Sequence, residues 1–530
     1  MDPEALALDE MIVRDVLARR AGTDGAAPFL RLGADVASYA GVHRNALAVS
    51  SALGTIDVAR TELVGLMLPN SIEYVEIYFG LAYRGAAVVL VNTAFRGYML
   101  EYVLNDAACR VLVADETFLE TLLESEASLT TLQTVLVPGD PPGLEAWAAR
   151  FARIEVRALG SMASGDAADV PAEVSYSDLH CVVYSSGTTG PSKGIMISNG
   201  HALTKAIEVL RICDFGASDV LYSPLPLFYS MGLLRGVLSV ALVGSSIALR
   251  DRFSVSSFWD DVRAYRATVA HCVFSIPKML VQAPSRPDDR EHSLRCMFNA
   301  QHDPAFEERF GVKLVESYGL TEAGNAIYNR LDDPVIPGSC GRVSDDWEVR
   351  LADPDGLAVP AGEAGEILLR PREPACVMLG YLNKPEATAT AFRDLWLHTG
   401  DLARVDASGH YFYVGRNKDV IRRRGQNISA WEVEEILRTH PDVADVAALS
   451  QPSDVGEDDL RVVLVPRATE ALDLEAIAAF SEQRMPAFMV PRFFEEVDEL
   501  PKTPSGRVEK YKLEGVIPER RFDRGSGARR

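Results

Sequence analysis

Apolar residues in the first half of the chain fall into two alternating rhythms. Leu63 to Leu68 is an unbroken run that stops at Pro69-Asn70-Ser71, and the following residues place Ile72, Val75, Tyr78, Phe79 and Leu81 on one helical face. Ala87 to Val91 is again continuous. Strand, capped helix, strand, with strands apolar throughout, is the pattern of a parallel sheet covered on both sides. Leu100 to Leu104 and Val111 to Ala114 repeat it. Farther on, His201 to Leu210 reads as a helix, and Val220 to Ser223, Ala267 to Phe274, Leu294 to Phe298 and Lys313 to Glu316 read as further short strands separated by helical patterns.

Past Pro334 the texture changes. Val349 to Leu351, Gly365 to Arg370, Leu402 to Val405 and Tyr411 to Val414 are short strands between Gly, Asp and Pro turns, as in a small β subdomain over about 335–415. A boundary at Gly415 to Asp419 precedes helices at Glu432 to His440 and Leu474 to Arg484 and strands at Val443 to Leu449 and Val462 to Val465. The expected fold is therefore α/β: a large N-terminal domain of doubly wound sheets over 1–415 with its β subdomain, then an α+β C-terminal domain over 416–530. The Gly/Ala/Asp-rich stretch from Leu159 to Glu173 reads as a surface connection, and the Arg/Gly-rich tail from Arg520 onward as disordered.

Composition narrows the possibilities. The net charge of -22 argues against nucleic-acid or anionic-membrane partners, although a local basic pocket for a nucleotide stays possible. Seven scattered cysteines, odd in number and without metal-ligand spacing, read as buried thiols in a reducing compartment. The acidic start, Met-Asp-Pro-Glu-Ala, has no signal pattern, and the most apolar stretch, Leu233 to Leu249, is too short and is interrupted by Arg235 and Gly236. A cytoplasmic protein without membrane insertion is expected.

The most informative segment is Tyr184 to Gly194, Tyr-Ser-Ser-Gly-Thr-Thr-Gly-Pro-Ser-Lys-Gly, which falls between two apolar runs. Gly187, Gly190 and Gly194 permit the close backbone approach that turns amide groups toward an anion. Ser185, Ser186, Thr188 and Thr189 add hydroxyls, and Lys193 adds a charge. A polyphosphate suits such a loop, yet the motif is not a Walker A, because Ser192 precedes the lysine and Gly194 follows it. Tyr318-Gly319-Leu320-Thr321-Glu322 follows a strand, where α/β folds place ligands. There Tyr318 offers a stacking surface, Thr321 a phosphate donor and Glu322 a hard oxygen for Mg²⁺. Asp401, after His398-Thr399-Gly400 on a tight turn, could accept both hydroxyls of a ribose. Gly415 to Asp419 and Arg422-Arg423-Arg424-Gly425-Gln426-Asn427 form a basic cluster suited to phosphates and sugars. Pro501-Lys502-Thr503-Pro504-Ser505-Gly506-Arg507 presents a cation on a turn-rich loop. Each segment after the Tyr184 to Gly194 loop would be weak alone, since an ordinary solvated turn accounts for it; their order and spacing together make the case.

Together they resemble the adenylate-forming superfamily of acyl-CoA ligases, nonribosomal-peptide adenylation domains and luciferases, from about residue 30 to 515. Met378 to Pro385 and Val508 to Leu513 resemble carnitine/crotonobetaine-type CoA ligases most. The resemblance implies that a small or aromatic carboxylate attacks the α-phosphorus of MgATP to give an acyl-adenylate and pyrophosphate, and that a thiol, usually CoA, then takes the acyl group. It implies that Ser185, Ser186, Gly187, Thr188, Thr189, Gly190 and Lys193 hold the β and γ phosphates, and that Asn299, Ala300 and Gln301 with Tyr318 and Gly319 frame the adenine. Thr321 would contact the α-phosphate, Glu322 would ligate Mg²⁺, and Asp401 and Arg416 would hold the ribose. Lys418 would be the hinge on which a mobile C-terminal domain turns. Gly425 would line the thiol channel, with Arg422 to Arg424 meeting CoA phosphates.

Three positions depart from the family pattern. Arg507 stands at the catalytic lysine, with a larger and differently shaped donor. Tyr229 stands where many ligases carry a histidine at the gate of the acyl pocket, and Ser192 replaces the usual proline, a change expected to be mild. Pocket candidates lying between the motifs are Tyr229, Ser230, Gly232, Phe274, Ser275, His302 and Asn325. The departures also keep open a specialised-metabolism enzyme that activates another oxyanion such as nitrite, or transfers to an amine. A third possibility, a nucleotide-binding regulator without catalysis, is opposed by the presence of Lys193, Glu322, Asp401 and Arg416 together.

Overall fold

In the computed structural model, which describes residues 6–162, 173–185, 192–273, 275–416, 420–423, 426–453, 458–468, 470–501 and 508–525, the alternating pattern resolves into two mainly parallel sheets. The helix expected after Leu68 runs Ile72–Arg84. The Ser71 hydroxyl accepts from the Tyr74 amide at its start, and Gly85, at φ 73°, closes its end. Its buried residues include Tyr74, Tyr78 and Phe79, which reach the core that also takes Val64, Leu66, Val88 and Leu90. The flanking strands Leu63–Met67 and Ala87–Leu90 pair in parallel, as do Leu63–Met67 and Val111–Ala114.

These strands lie within an eight-stranded sheet ordered Gly380–Tyr381, Lys193–Ser198, Leu179–Ser185, Ala87–Leu90, Leu63–Met67, Val111–Ala114, Thr134–Val137 and Glu155–Ala158. A seven-stranded sheet follows the order Lys313–Val315, Cys296–Phe298, Val269–His271, Val220–Ser223, Ser246–Leu249, Pro28–Leu32 and Asp35–Ser38. The Val269–His271 strand is shorter than the apolar run from Ala267 suggests, because its parallel partners pair with so few residues. A four-stranded antiparallel sheet of Trp347–Ala352, Gly365–Pro371, Leu397–Val405 and Tyr411–Arg416 forms the β subdomain.

That subdomain does not take in the whole of 335–415. Gly380 and Tyr381 pair antiparallel with Met196 and Ile195, adding an edge to the large sheet, and Pro385–Ala391 is helical. Arg342–Val343 joins Ser317–Gly319 and Asn325–Tyr328 in a separate three-stranded sheet.

The chain divides into two compact units. One comprises Met1–Thr93, Val103–Tyr184 and Gly194–Gly415; the other comprises Ala94–Tyr102, Ser185–Lys193 and Arg416–Arg530. The second contains the expected α+β region, with helices Ala430–Arg438 and Leu474–Arg484 and a sheet ordered Val443–Pro452, Asp458–Pro466, Phe493–Glu496 and Arg521–Asp523. The last of these strands corrects the expectation of a disordered tail from Arg520. Arg521, Phe522 and Asp523 pair with Glu495, Phe494 and Phe493, and Phe522 packs on Phe494; 526–530 lie outside the described residues, as does most of the connection at 163–172.

All seven cysteines are buried and unbridged. Among the described residues no helix is long and apolar enough to cross a membrane.

Candidate active site

Four neighbouring strands of the seven-stranded sheet run in parallel register, so their carboxyl ends open on one edge. Val220–Ser223 leads to Tyr229 and Ser230, Val269–His271 to Ser275, Cys296–Phe298 to Asn299 through His302, and Lys313–Val315 to Glu316 and Tyr318. Asn299 takes a left-handed conformation at φ 65°, which turns the chain sharply as it leaves its strand. Its side chain is half-buried, Ala300 is fully buried with its amide bonded to the Val315 carbonyl at 3.2 Å, and Gln301 is exposed.

Tyr318 follows the Lys313–Val315 strand as expected and itself belongs to the short strand Ser317–Gly319, where its ring stacks on Tyr413 at 6.1 Å. Asp401 is likewise inside the Leu397–Val405 strand, where Gly400 at φ 71° interrupts the regular register, and not on a free turn. Asp401 as a whole is 2% exposed. Tyr318 donates to Asp401 Oδ2 at 2.7 Å and Tyr413 to Oδ1 at 3.4 Å. A carboxylate that accepts two hydroxyls is chemically suited to a sugar diol.

Thr321 and Glu322 occupy the turn between Ser317–Gly319 and Asn325–Tyr328. Tyr381 donates to Glu322 Oε1 at 3.0 Å, and the Met378 amide donates to the Glu322 carbonyl at 2.8 Å. The edge strand Gly380–Tyr381 thus orients the acid. Among the described residues no three His, Cys, Asp or Glu side chains converge on a metal site. A cation at Glu322 would complete its shell with phosphate oxygens and water, which is the usual way Mg²⁺ is held, so the residues present fit it.

Glu316 was not a candidate from the sequence. It borders a small cavity of about 20 Å³ together with His302, Val315, Asn329 and Ser339, and burial pushes its carboxyl up to about 7. An acidic residue two places before Tyr318 was the available signal. His302 is held by Glu307 at 3.2 Å and lines this cavity. Tyr229 accepts a hydrogen bond from Asn92 at 3.0 Å, and Ser230 lies 3.5 Å from an Arg235 nitrogen. Gly232 sits so close to Pro226 that an added Cβ would meet its carbonyl oxygen at 2.4 Å. Asn325 is buried, and its amide nitrogen Nδ2 lacks a partner.

In the second unit, Ser185 ends one strand and Lys193 begins the next rather than standing free in the loop. The Ser192 amide donates to Glu432 Oε1 at 2.8 Å, its hydroxyl donates to the same oxygen, and its carbonyl accepts from Tyr102 at 2.8 Å. A proline could make neither donation, so the exchange is not merely mild in structure. Arg416 ends the strand Tyr411–Arg416, and Arg422 pairs in register with Asn427. Arg423 is buried, donates to the Val490 carbonyl at 2.7 Å and lies 3.5 Å from Asp459, so it serves the unit's interior and not CoA phosphates. Lys510 pairs with Glu434 at 2.8 Å. Ser186, Gly187, Thr188, Thr189, Gly190, Phe274, Lys418, Gly425 and Arg507 lie outside the described residues, and of Ser275 only the backbone is described.

A ligand edge on a parallel sheet, a buried carboxylate dressed with hydroxyls and an oriented acid beside a threonine are groups that a nucleotide-handling α/β enzyme would use. The comparisons specify it. The model of the AMP-binding enzyme family matches residues 17–382, and that of the AMP-binding enzyme C-terminal domain matches 432–507. The chain belongs to the AMP-binding enzyme family. The crotonobetaine/carnitine–CoA ligase of Salmonella paratyphi C is 29% identical over 484 residues, 90% of this chain and 92% of that one. A double mutant of the o-succinylbenzoate CoA synthetase of Bacillus subtilis, solved with a product analogue, superposes with a TM-score of 0.81 at 21% identity, covering 96% of this chain and 99% of that one. An anthranilate CoA ligase solved with anthranoyl-AMP gives 0.69 at 27% identity, covering 97% and 98%.

Proposed function

We propose that the protein activates a small or aromatic carboxylic acid with ATP, releases pyrophosphate, and passes the acyl group from the adenylate to a thiol, that of CoA. The observation that carries this reading is the hydroxyl-dressed Asp401 carboxylate linked through Tyr318 to the Thr321–Glu322 turn. The named activities of the crotonobetaine/carnitine and anthranilate CoA ligases support the acid–thiol assignment.

In this reading Asp401 holds the ribose hydroxyls, with Arg416 as a further contact. The Asn299–Gln301 backbone, Tyr318 and Gly319 frame the base, and Glu316 gives its edge a hydrogen-bonding carboxyl. Thr321 donates to the α-phosphate. Glu322 holds Mg²⁺, which when bound neutralises charge on the phosphates. Lys193 and the hydroxyls of Ser185, Ser186, Thr188 and Thr189 hold the outer phosphates. Tyr229, Ser230, Gly232, Phe274, Ser275, His302 and Asn325 shape the acid's surroundings, and Arg507 supplies the cation beside the reacting carboxylate. Lys418 is the hinge, and Arg422 and Gly425 attend the thiol step.

The test is pyrophosphate release in three sets: carboxylic acids with CoA, nitrite with aryl amines, and ATP alone. Turnover with acids and formation of a CoA thioester supports the proposal. Turnover confined to nitrite and amines would overturn it.

A further inference from the structure

The Asn199–Cys213 helix carries His201, Lys205 and Glu208 at i, i+4 and i+7, hence on one face, and all three are buried. Buried ionisable groups are costly unless they are partnered. Their partners are backbone atoms of one turn. Lys205 Nζ donates to the Leu320 carbonyl at 3.3 Å and to the Ala323 carbonyl. His201 Nε2 bonds the same Ala323 oxygen, which fixes the Nε2–H tautomer because a carbonyl only accepts. Glu208 Oε2 accepts from the Asn325 amide at 2.7 Å. The helix therefore grips the backbone on both sides of Thr321 and Glu322.

Two further observations agree. A Cβ on Gly324 would lie 1.8 Å from Glu208 Oε1, so the turn is packed directly on that carboxylate. Arg235, in the π-helical turn Leu233–Val237, lies 3.8 Å from Glu208 and supplies the counter-charge without a hydrogen bond from its Nη2. Burial and Arg235 lower the Lys205 pKa, while the charges of Glu208 and Glu322 favour its ammonium form.

We propose that His201, Lys205 and Glu208 are positioning residues for nucleotide activation, holding the 320–325 turn so that Thr321 and Glu322 present their oxygens to the phosphates and their cation. This rests on the reading of Thr321 and Glu322 given above. A purely structural ion cluster would leave metal-dependent nucleotide binding untouched in any variant that folds.

The experiment measures ATP binding to the full chain by calorimetry, once with Mn²⁺ and once with EDTA, and counts bound Mn²⁺ by electron paramagnetic resonance. Glu322→Gln is the control for the underlying reading and should abolish the metal-dependent part of ATP affinity; no change there would refute that reading itself. Lys205→Met should weaken the metal-dependent affinity by about 10–100-fold, as loss of groups that orient a metal ligand does, with the affinity in EDTA unchanged. Lys205→Gln, which keeps two N–H donors, should recover most of the loss. Where Lys205→Met fails to fold, Gly324→Ala displaces the turn with every charge intact and should show the same selective loss. Wild-type metal dependence in Lys205→Met or Gly324→Ala, with Glu322→Gln impaired, would overturn the positioning role alone.

Discussion

Tyr318 donates its phenolic hydrogen to Asp401 Oδ2 at 2.7 Å, joining two segments 83 residues apart in the first unit. The bond makes a testable demand. Tyr318→Phe keeps the stacking ring but leaves a buried acceptor short of a donor, at a cost of about 1–3 kcal/mol in unfolding free energy. ATP should partly restore the melting temperature of that variant by supplying ribose hydroxyls. Asp401→Ala should lose ATP stabilisation altogether. Thermal melts with and without ATP check both.

Ser192 and Glu432 give a pH prediction. Burial raises the Glu432 carboxyl to about 7 from its ordinary 4.5. Because the folded value is raised, the stability this group contributes is fully present below about 4.5 and is lost as pH rises through about 7. The loss approaches roughly 3 kcal/mol by linkage. Glu432→Gln should flatten the denaturant stability of the chain across that window, as read from urea titrations at a series of pH values.

Burial of every cysteine predicts thiol inertness. Desolvation pushes the Cys109 and Cys181 thiols up to about 12, and the other five cysteines are also buried. An aromatic disulfide reagent should titrate almost none of the seven in the native protein and all seven after denaturation.

Arg507 should act as the charge that steadies the reacting carboxylate. Arg507→Ala should reduce adenylate formation by about 10²–10³-fold, in line with loss of a transition-state donor. Arg507→Lys should retain or exceed wild-type activity. Pyrophosphate release in single-turnover mixing checks the pair.

The parallel sheets were legible because their strands are short runs such as Val111 to Ala114, apolar on both faces, and because Ser71 and Gly85 punctuate the helix between them. What escaped detection depends on partners distant in sequence. Gly380 and Tyr381 have no strand pattern of their own and become an edge only beside Ile195 and Met196. Arg521 to Asp523 read as a solvated tail, yet Phe522 is drawn onto Phe494. Asp401 read as a turn residue because Gly400 precedes it, whereas that glycine marks an irregularity within a strand. The candidate site was legible as motifs, while Glu316, His201, Lys205 and Glu208 were not, since single charged residues in apolar segments acquire meaning only from what surrounds them. The exchange at Ser192 is explained only by Glu432, 240 positions away.

Adenylate formation can be read directly from the fate of oxygen. A set of aromatic and short carboxylic acids labelled with oxygen-18 in the carboxylate, incubated with ATP, Mg²⁺ and CoA, should yield AMP carrying one heavy oxygen together with the CoA thioester of the accepted acid. Formation of the thioester with unlabelled AMP, or with ADP in place of AMP, would contradict the account.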